Sequence, residues 1–442
     1  MTIAEFKKKY NKENIQTLLT KIKQEDTKFK SFLFVVDKLP NDFGIPIAIK
    51  DAISTKGIVT TAGSKILENY IPPYSATVIN KLENSGYFVV GKTNMDEFAM
   101  GSSTENSAYF TTKNPKDTSL VPGGSSGGSA TAVSAGFVPV ALGTDTGGSI
   151  RQPASFCGVV GFCPSYGAVS RYGVIAMASS FDQVGVFANN IKDTKTVFDI
   201  IRGKDEKDAT SFDLPENAKV NKSEITIGVP KDILQGVSNK VKFAFENSLK
   251  TLKHSGFNLI DVDNTDLKQA LAVYYIIVPS EVSSNLARFD GVKYGKREDL
   301  DDLIELYTKT RTKYLGVEPK RRIIIGTYAL SAGYNDKYYK KANILRQQVK
   351  DYYIQVFEKV DIILTPTTPT TAFKIDAVQT PLEMYLADIF TIPPKLAGLA
   401  TISIPANLKD KLPVGIQLIA KHKNDLQLLE ISERIEQCLQ TY

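Results

Sequence analysis

Short apolar runs recur along this chain between longer stretches of mixed polarity. Runs of this kind are typical of buried β-strands. The first of them leads directly into a charged residue, Lys50. The predicted strands are Ala48–Ile49, Tyr87–Val90, Val138–Leu142, Ile225–Val229, Asp361–Leu364, Ile402–Ile404 and Val414–Ile419.

The stretches between the strands include three in which apolar residues return every three or four positions, the pattern of an amphipathic helix. These predicted helices are Asn239–Lys253, Lys340–Lys359 and Asp425–Gln440. Strands and helices therefore alternate, which favours an α/β fold with a sheet covered by helices.

The chain shows no repeat period and no linker long enough to separate independent domains. Residues 1–40 begin like a polar helix, and we expect an N-terminal helical segment there. The polar stretch Gly203–Lys222 is interpreted as a surface loop between two halves of one fold. A single domain over residues 1–442 is the resulting prediction.

Composition narrows the classes of protein that fit. The excess of 54 Lys+Arg over 48 Asp+Glu is spread along the chain, which favours a solvated surface over a nucleic-acid-binding face. Neither a run of about 18 apolar residues nor a leader peptide is visible, so we expect a cytoplasmic protein without membrane contact. Cys157, Cys163 and Cys438 are expected to be free thiols, with no metal site.

Two glycine-rich segments carry the strongest chemical signal. They are Pro122-Gly-Gly-Ser-Ser-Gly-Gly-Ser129 and Gly143-Thr-Asp-Thr-Gly-Gly-Ser149. Glycine lets backbone N–H groups crowd around a reacting atom, and Ser125 and Ser149 each stand in such a setting. A nucleophilic serine enzyme is the first hypothesis.

A serine nucleophile needs a base, which in most serine hydrolases is histidine. The chain has only two histidines, His254 and His422, and both lie in segments predicted to be exposed. Lysine is the principal alternative, and Lys50 lies at the end of a predicted strand, where catalytic groups of α/β proteins commonly emerge. Burial would have to lower its pKa by roughly 2–3 units for it to act as a base near pH 7.

One competing motif has to be weighed. Gly86-Tyr-Phe-Val-Val-Gly-Lys-Thr93 satisfies the pattern of a phosphate-binding loop. The four intervening residues, however, are strand formers where that loop requires a flexible anion-binding turn. We therefore predict a strand there and no nucleotide site.

These residues together resemble the amidase signature family, and both glycine-rich segments match its signature almost residue for residue. The resemblance implies a single large α/β domain with a mixed sheet covered by helices on both faces. It also implies a Ser-cisSer-Lys triad, with Ser149 as nucleophile, Ser125 as the bridging serine after a cis peptide bond, and Lys50 as base. Backbone N–H groups of Thr146, Gly147 and Gly148, together with that of Ser149, would form the oxyanion hole.

Three further segments, Asn94–Asn106, Ser283–Gly295 and Arg321–Tyr334, are similar to the family's group of A subunits of bacterial glutamyl-tRNA(Gln) amidotransferases. The likeness runs from about Phe43 to the C-terminus. By this resemblance, free glutamine would be bound by Tyr274, Arg322 and Asp388. The chain departs from the family at Cys163 and Ala168, where basic residues are usual.

The resemblance implies a glutaminase that supplies ammonia for converting Glu-tRNA(Gln) to Gln-tRNA(Gln). The chain itself would hold no cofactor, since ATP and Mg would belong to a partner subunit. Its partners would be the B and C subunits, with the tRNA bound mainly by B. The alternatives are a stand-alone amidase acting on another amide and a catalytically silent scaffold subunit; intact Lys50, Ser125 and Ser149 argue against the scaffold.

Overall fold

Strands and helices alternate along most of the computed structural model, which describes residues 1–40, 43–215, 224–264, 267–377, 381–406 and 412–441. The strands are β1 (Phe32–Val35), β2 (Ile45–Lys50), β3 (Tyr87–Thr93), β4 (Val140–Asp145), β5 (Val160–Cys163), β6 (Gln183–Ala188), β7 (Thr226–Pro230), β8 (Asn258–Val262), β9 (Ile362–Pro366), β10 (Ala400–Pro405) and β11 (Gly415–Ala420).

The helices are α1 (Ile3–Lys9), α2 (Thr17–Phe29), α3 (Thr77–Asn84), α4 (Gly127–Ser134), α5 (Arg151–Cys157), α6 (Ile191–Ile201), α7 (Asn239–His254), α8 (Ala270–Asn285), α9 (Leu303–Tyr314), α10 (Val317–Leu330), α11 (Lys341–Val356), α12 (Pro381–Leu386), α13 (Ile392–Leu396) and α14 (Asp425–Thr441). The three helices predicted from apolar spacing correspond to α7, α11 and α14. None of the described helices combines the length and the apolar character that crossing a membrane requires.

Within the described residues, eleven strands form one sheet in the order β1-β3-β2-β4-β6-β5-β10-β11-β9-β7-β8. Strand β2 pairs in parallel with β3 and β4, and β7 pairs in parallel with β8 and β9. The central strands between these two groups pair antiparallel. The sheet is therefore mixed, as predicted.

Helices cover both faces of the sheet because successive strand residues point in opposite directions. In β4, Val140 and Leu142 belong to the apolar cluster that includes residues of α3, α6 and α14, whereas Ala141 belongs to the cluster that includes residues of α2, α4 and α5. A further apolar cluster joins α8, α11 and α13 to Ile419 of β11. The α/β prediction with helices on both faces is confirmed.

The N-terminal segment contains more than helices. After α1 and α2, strand β1 pairs antiparallel with β3 and forms one edge of the sheet. The expectation of a helical segment over residues 1–40 misses this strand. Of the predicted loop 203–222, residues 216–222 lie outside the described residues, and Asp208 of the described part forms an ion pair with Arg171 at 2.9 Å.

The packing of β5 against α6 offers a stability test. Phe162 is fully buried, and its ring meets that of Phe198 edge-on at 4.9 Å between centroids. Phe162→Ala should lower the free energy of unfolding by about 3–5 kcal/mol, since it removes buried apolar surface and leaves a cavity. Phe243→Ala on α7 is the matched control because that ring is 63% exposed. Urea denaturation of both variants tests this, and equal midpoints for the two would contradict it.

Candidate active site

The sheet brings the two glycine-rich segments together at the carboxyl ends of its parallel strands β2 and β4. Strand β2 ends at Lys50, and its parallel neighbour β4 ends at Asp145, directly before the segment 146–150. The first glycine-rich segment leads into α4, which packs against both strands. Because carboxyl ends of parallel strands meet at one edge, Lys50 and the two serines become neighbours.

The Lys50 amine lies beneath the first glycine-rich segment and is fully buried. Its Nζ donates to the hydroxyls of Ser125 and Ser126, both at 2.8 Å, and lies 3.3 Å from the carbonyl oxygen of Thr144. Burial lowers the pKa of Lys50 to about 7, although the negative charges of nearby aspartates oppose this shift. A substantial fraction of this amine is therefore neutral near pH 7.

The backbone around Ser125 is held from two sides. The peptide bond between Gly124 and Ser125 is cis. The Gly124 amide donates to Gln152 Oε1 at 2.9 Å, and the Ser125 carbonyl accepts from the Asp96 amide at 3.2 Å. A Cβ atom on Gly124 would lie 2.1 Å from Asp96 Oδ2, so only glycine fits at that position.

Ser149 differs from Lys50 and Ser125 in its exposure. It is 8% exposed, whereas the other two are 0% exposed. Its carbonyl accepts from the Ser126 amide at 3.2 Å, which places it against the same segment. Of these three side chains, that of Ser149 lines a surface pocket, so it is the one that an incoming molecule meets.

Two buried carboxylates hold the segment 146–150. Asp182 accepts from the Thr146 hydroxyl at 2.7 Å, and Asp145 accepts from the Ile150 amide at 3.1 Å. Asp145 also forms a buried ion pair with Arg151 at 3.0 Å. Burial opposes ionisation of Asp145, but the positive charges of Arg151 and Lys395 hold its pKa at about 2. The backbone N–H groups of this segment are thus fixed in place around Ser149.

Close packing explains the two glycines of this segment. A Cβ on Gly147 would lie 2.6 Å from the Tyr274 hydroxyl. A Cβ on Gly148 would lie 2.3 Å from the Thr391 hydroxyl and 3.0 Å from Asp388 Oδ1. Tyr274 and Asp388 therefore reach the segment that, by the family resemblance, would form an oxyanion hole.

Arg322 lies on α10, lines the same pocket and is 5% exposed. Its Nε donates to Glu318 one turn earlier at 2.8 Å, and its guanidinium lies 5.8 Å from the centre of the Tyr275 ring. Burial raises the pKa of Asp388 to about 7, and Asp145 adds to the shift, although the positive charges of Arg151 and Arg322 oppose it. The pocket therefore offers one cation and one acid together with a serine. Its lining residues are Ala99, Gly101, Ser102, Gly147, Ser149, Tyr274, Tyr275, Arg322, Met384, Tyr385 and Asp388.

Similarity to known proteins decides the family. The family model described as Amidase matches residues 3–429. The chain belongs to the amidase family. An amidase relative from Persephonella marina, named as the A subunit of glutamyl-tRNA(Gln) amidotransferase, is 52% identical over 435 residues, which cover 97% of this chain and 89% of the relative. A relative of the same name from Natranaerobius thermophilus is 53% identical over 405 residues, covering 90% and 82%.

The fold agrees with that of a solved amidase. The crystal structure of the A subunit of glutamyl-tRNA(Gln) amidotransferase from Thermotoga maritima matches this chain with a TM-score of 0.85 and 43% identity. The match covers 99% of this chain and 94% of that one. The predicted resemblance to the amidase signature family is confirmed.

The false phosphate-loop motif has a simple structural explanation in this amidase. Tyr87–Thr93 forms strand β3, as predicted. Lys92 is fully buried, and its Nζ donates to the Ile53 carbonyl at 2.5 Å and to the Thr60 hydroxyl at 2.8 Å. This lysine fixes the chain after β2 and lies where no phosphate could reach it.

Sequence reasoning missed several side chains that shape the amidase site. Ser126 shares the Lys50 amine with Ser125, and Gln152 links Gly124 to the Ser102 carbonyl. Both lie within the quoted motifs, yet their partners become visible only in the fold. Cys163 is one of the two positions at which the chain departs from the family. There the buried amine of Lys395, on α13, lies 3.4 Å from the sulfur.

The remaining predicted features lie away from the amidase pocket. His254 is exposed on α7, and His422 packs against Phe212 and approaches the Tyr166 carbonyl at 3.1 Å. Within the described ranges, no cluster of three or more His, Cys, Asp or Glu residues could hold a metal ion.

The geometry predicts how Ser149 reacts with a serine-directed reagent. The second-order rate of labelling by phenylmethylsulfonyl fluoride should rise about tenfold per pH unit below pH 7 and level off above it. The reason is that Lys50, the predicted base with a pKa of about 7, would accept a proton only when neutral. Mass spectrometry of the labelled peptide should place the adduct on Ser149.

Lys50→Arg retains the charge but cannot deprotonate in this range, so it should abolish labelling at every pH tested. Lys56→Arg is the control, because Lys56 is exposed. Labelling that does not change with pH, or an adduct on Ser125, would contradict the assignment.

Proposed function

We propose that this chain is the glutaminase component, the A subunit, of a glutamyl-tRNA(Gln) amidotransferase. The observation that carries the proposal is the pocket that Ser149 lines together with Arg322 and Asp388. A substrate with one carboxylate, one ammonium group and a side-chain amide suits this arrangement, and free glutamine is such a molecule. The identity of about half to named A subunits supports the same function.

In the proposed mechanism, Ser149 Oγ attacks the side-chain amide carbon of glutamine. The serine proton passes through the Ser125 hydroxyl to the neutral amine of Lys50, which lies 2.8 Å from Ser125 Oγ. The Lys50 ammonium then returns a proton through Ser125 to the leaving nitrogen, so that ammonia departs. Water, activated by the same relay, cleaves the glutamyl ester and restores Ser149.

Charge develops on the amide oxygen during both steps. We assign its stabilisation to the backbone N–H groups of Thr146, Gly147, Gly148 and Ser149. This segment is held rigidly by Asp145 and Asp182, so the donors need little rearrangement as the oxyanion forms.

The ends of the substrate would be bound on the far side of the pocket. Glu318 engages Nε of Arg322 at 2.8 Å, so the terminal amino groups of the guanidinium would bind the α-carboxylate. Asp388 would bind the α-ammonium group, whose charge favours the ionised acid. The Tyr274 hydroxyl lies against Gly147 and would orient the substrate from that side.

The ammonia would be used by a partner subunit. In this proposal the chain works in the cytoplasm in a complex with B and C subunits, and B binds Glu-tRNA(Gln) together with ATP and Mg. This chain would then hold no cofactor of its own. The spread of basic residues along the sequence, without a long basic run, agrees with a tRNA contact made mainly elsewhere.

Ser149→Ala should reduce glutamate release from glutamine by at least about 10⁴-fold, because the nucleophile is lost. The assay uses the chain alone and with its partner subunits, and co-purification of the partners serves as the assembly readout, which should not change. Ser134→Ala on α4 is the matched control. Persisting release by Ser149→Ala would show that the nucleophile is wrongly assigned, and a wild-type complex without any release would overturn the proposed function.

Asp388→Asn distinguishes the proposal from a stand-alone amidase that acts on another amide. It should lower kcat/KM for glutamine by roughly 100-fold, since it removes the partner of the α-ammonium group. Hydrolysis of butyramide, which lacks both charged groups, should change by less than about threefold. A wild-type protein that prefers butyramide, with glutamine hydrolysis unaffected by Asp388→Asn, would favour the stand-alone amidase.

A further inference from the structure

Glu97 is a buried acid that lies outside the reacting groups. It is 1% exposed, and its two carboxylate oxygens have different partners. Oε1 accepts from the Ser64 hydroxyl, and Oε2 accepts from the Gly316 amide at 2.9 Å. The carboxylate therefore joins two segments that are far apart in sequence.

The second of these segments is the start of the helix that carries the pocket arginine. Gly316 is the N-cap residue of α10, and Arg322 lies on that helix less than two turns later. A carboxylate at a helix N-terminus stabilises the unpaired N–H groups and the positive end of the helix dipole. A Cβ on Gly316 would lie 2.1 Å from Glu97 Oε2, which shows how closely the two are packed.

Asp96, the residue before Glu97, contacts the first glycine-rich segment. The Asp96 amide donates to the Ser125 carbonyl at 3.2 Å. Its carboxylate accepts from the amides of Thr104 and Asn106 at 2.9 and 3.0 Å, which closes the loop that places Gly101 and Ser102 in the pocket. The consecutive residues Asp96 and Glu97 thus contact, respectively, the first glycine-rich segment and the helix that carries Arg322.

We infer that Glu97 is a positioning residue that sets the distance between Arg322 and Ser149 and thereby the affinity for the carboxylate end of the substrate. This inference rests on the proposed function, since it assumes that Arg322 binds the α-carboxylate of glutamine. Glu97 acts through Gly316 and α10, and it touches neither the substrate nor the reacting atoms.

Opposing effects act on the ionisation of Glu97. Burial raises its pKa to about 7, whereas the bonds from Ser64 and Gly316 and the charge of Lys320 favour ionisation. Burying an acid at this position costs more free energy than burying an apolar side chain. Only the acid, however, can accept the two directed hydrogen bonds.

Glu97→Ala tests the inference in the complex with partner subunits. KM for glutamine should rise about tenfold, and kcat should change by less than about twofold, because the nucleophile and base are untouched. Glu97→Gln keeps an acceptor for the Gly316 amide and should restore most of the affinity. Hydrolysis of 4-aminobutanamide, which is glutamine without its carboxylate, should have the same kcat/KM in Glu97→Ala and in wild type.

Gly316→Ala disturbs the same contact from the other side and covers the case in which Glu97→Ala fails to fold. It should show the same rise in KM for glutamine. Glu305→Gln on α9 is the control, because its side chain is 56% exposed and pairs with Lys309.

An unchanged KM for glutamine in a folded Glu97→Ala or Gly316→Ala protein would overturn the inference. Equal losses on glutamine and on 4-aminobutanamide would also overturn it, since they would indicate general damage to the site. A wild-type complex that releases no glutamate from glutamine would instead overturn the proposed function itself, together with the inference that rests on it.

Discussion

The burial of the Lys50 amine is the constraint on which the rest of the site depends. Nζ lies at the end of β2, an interior strand of the sheet, where two serine hydroxyls and one backbone carbonyl take the place of water. Because these partners are uncharged, burial dominates and brings the pKa of Lys50 to about 7. A carboxylate in direct contact would favour the ammonium form and leave Ser125 without a base behind it.

The aspartates around Lys50 show how this balance is kept. Each is committed to other donors: Asp96 to the amides of Thr104 and Asn106, Asp145 to Arg151, and Asp182 to the Thr146 hydroxyl and two further amides. They oppose the shift of the lysine pKa only from a distance. The same bonds hold the glycine-rich segments, so the groups that shape the backbone of the site are also those that leave the amine close to neutral.

The sequence alone predicted those elements whose own residues show a clear pattern of apolar spacing or strand-forming side chains. Apolar spacing located α7, α11 and α14, and the strand formers of Tyr87–Val90 correctly excluded a phosphate loop. Strands β1, β5, β6 and β8 were missed. Strand β8, for example, is mostly half-buried and includes polar residues, so its sequence does not stand out from a loop. Tertiary pairing with β7 decides its conformation.

The same distinction holds within the site. Lys50, Ser125 and Ser149 could be singled out from the sequence because a strand end and two glycine-rich segments mark them. Their roles, however, came from family resemblance. The parts played by Ser126, Asp96 and Lys395 depend on contacts between residues that are distant in sequence. Lys395, which reaches Cys163 across 232 positions, has no signal of its own in the chain. Such residues become visible only when the sheet brings α13 and β5 together.

The pocket sets an electrostatic requirement opposite to that of Lys50. In the proposed mechanism the amine acts as a base among neutral partners. Arg322 already pairs with Glu318, whereas Asp388 would gain a positive partner from a substrate ammonium group, which an uncharged amide does not supply. Ser149 and the glycines before it separate the two environments. Gly147 and Gly148 are in contact with Tyr274 and Asp388, and a side chain on either glycine would push those residues away from the serine. The missing Cβ atoms therefore let the proposed substrate-binding residues lie within contact distance of the segment that carries Ser149.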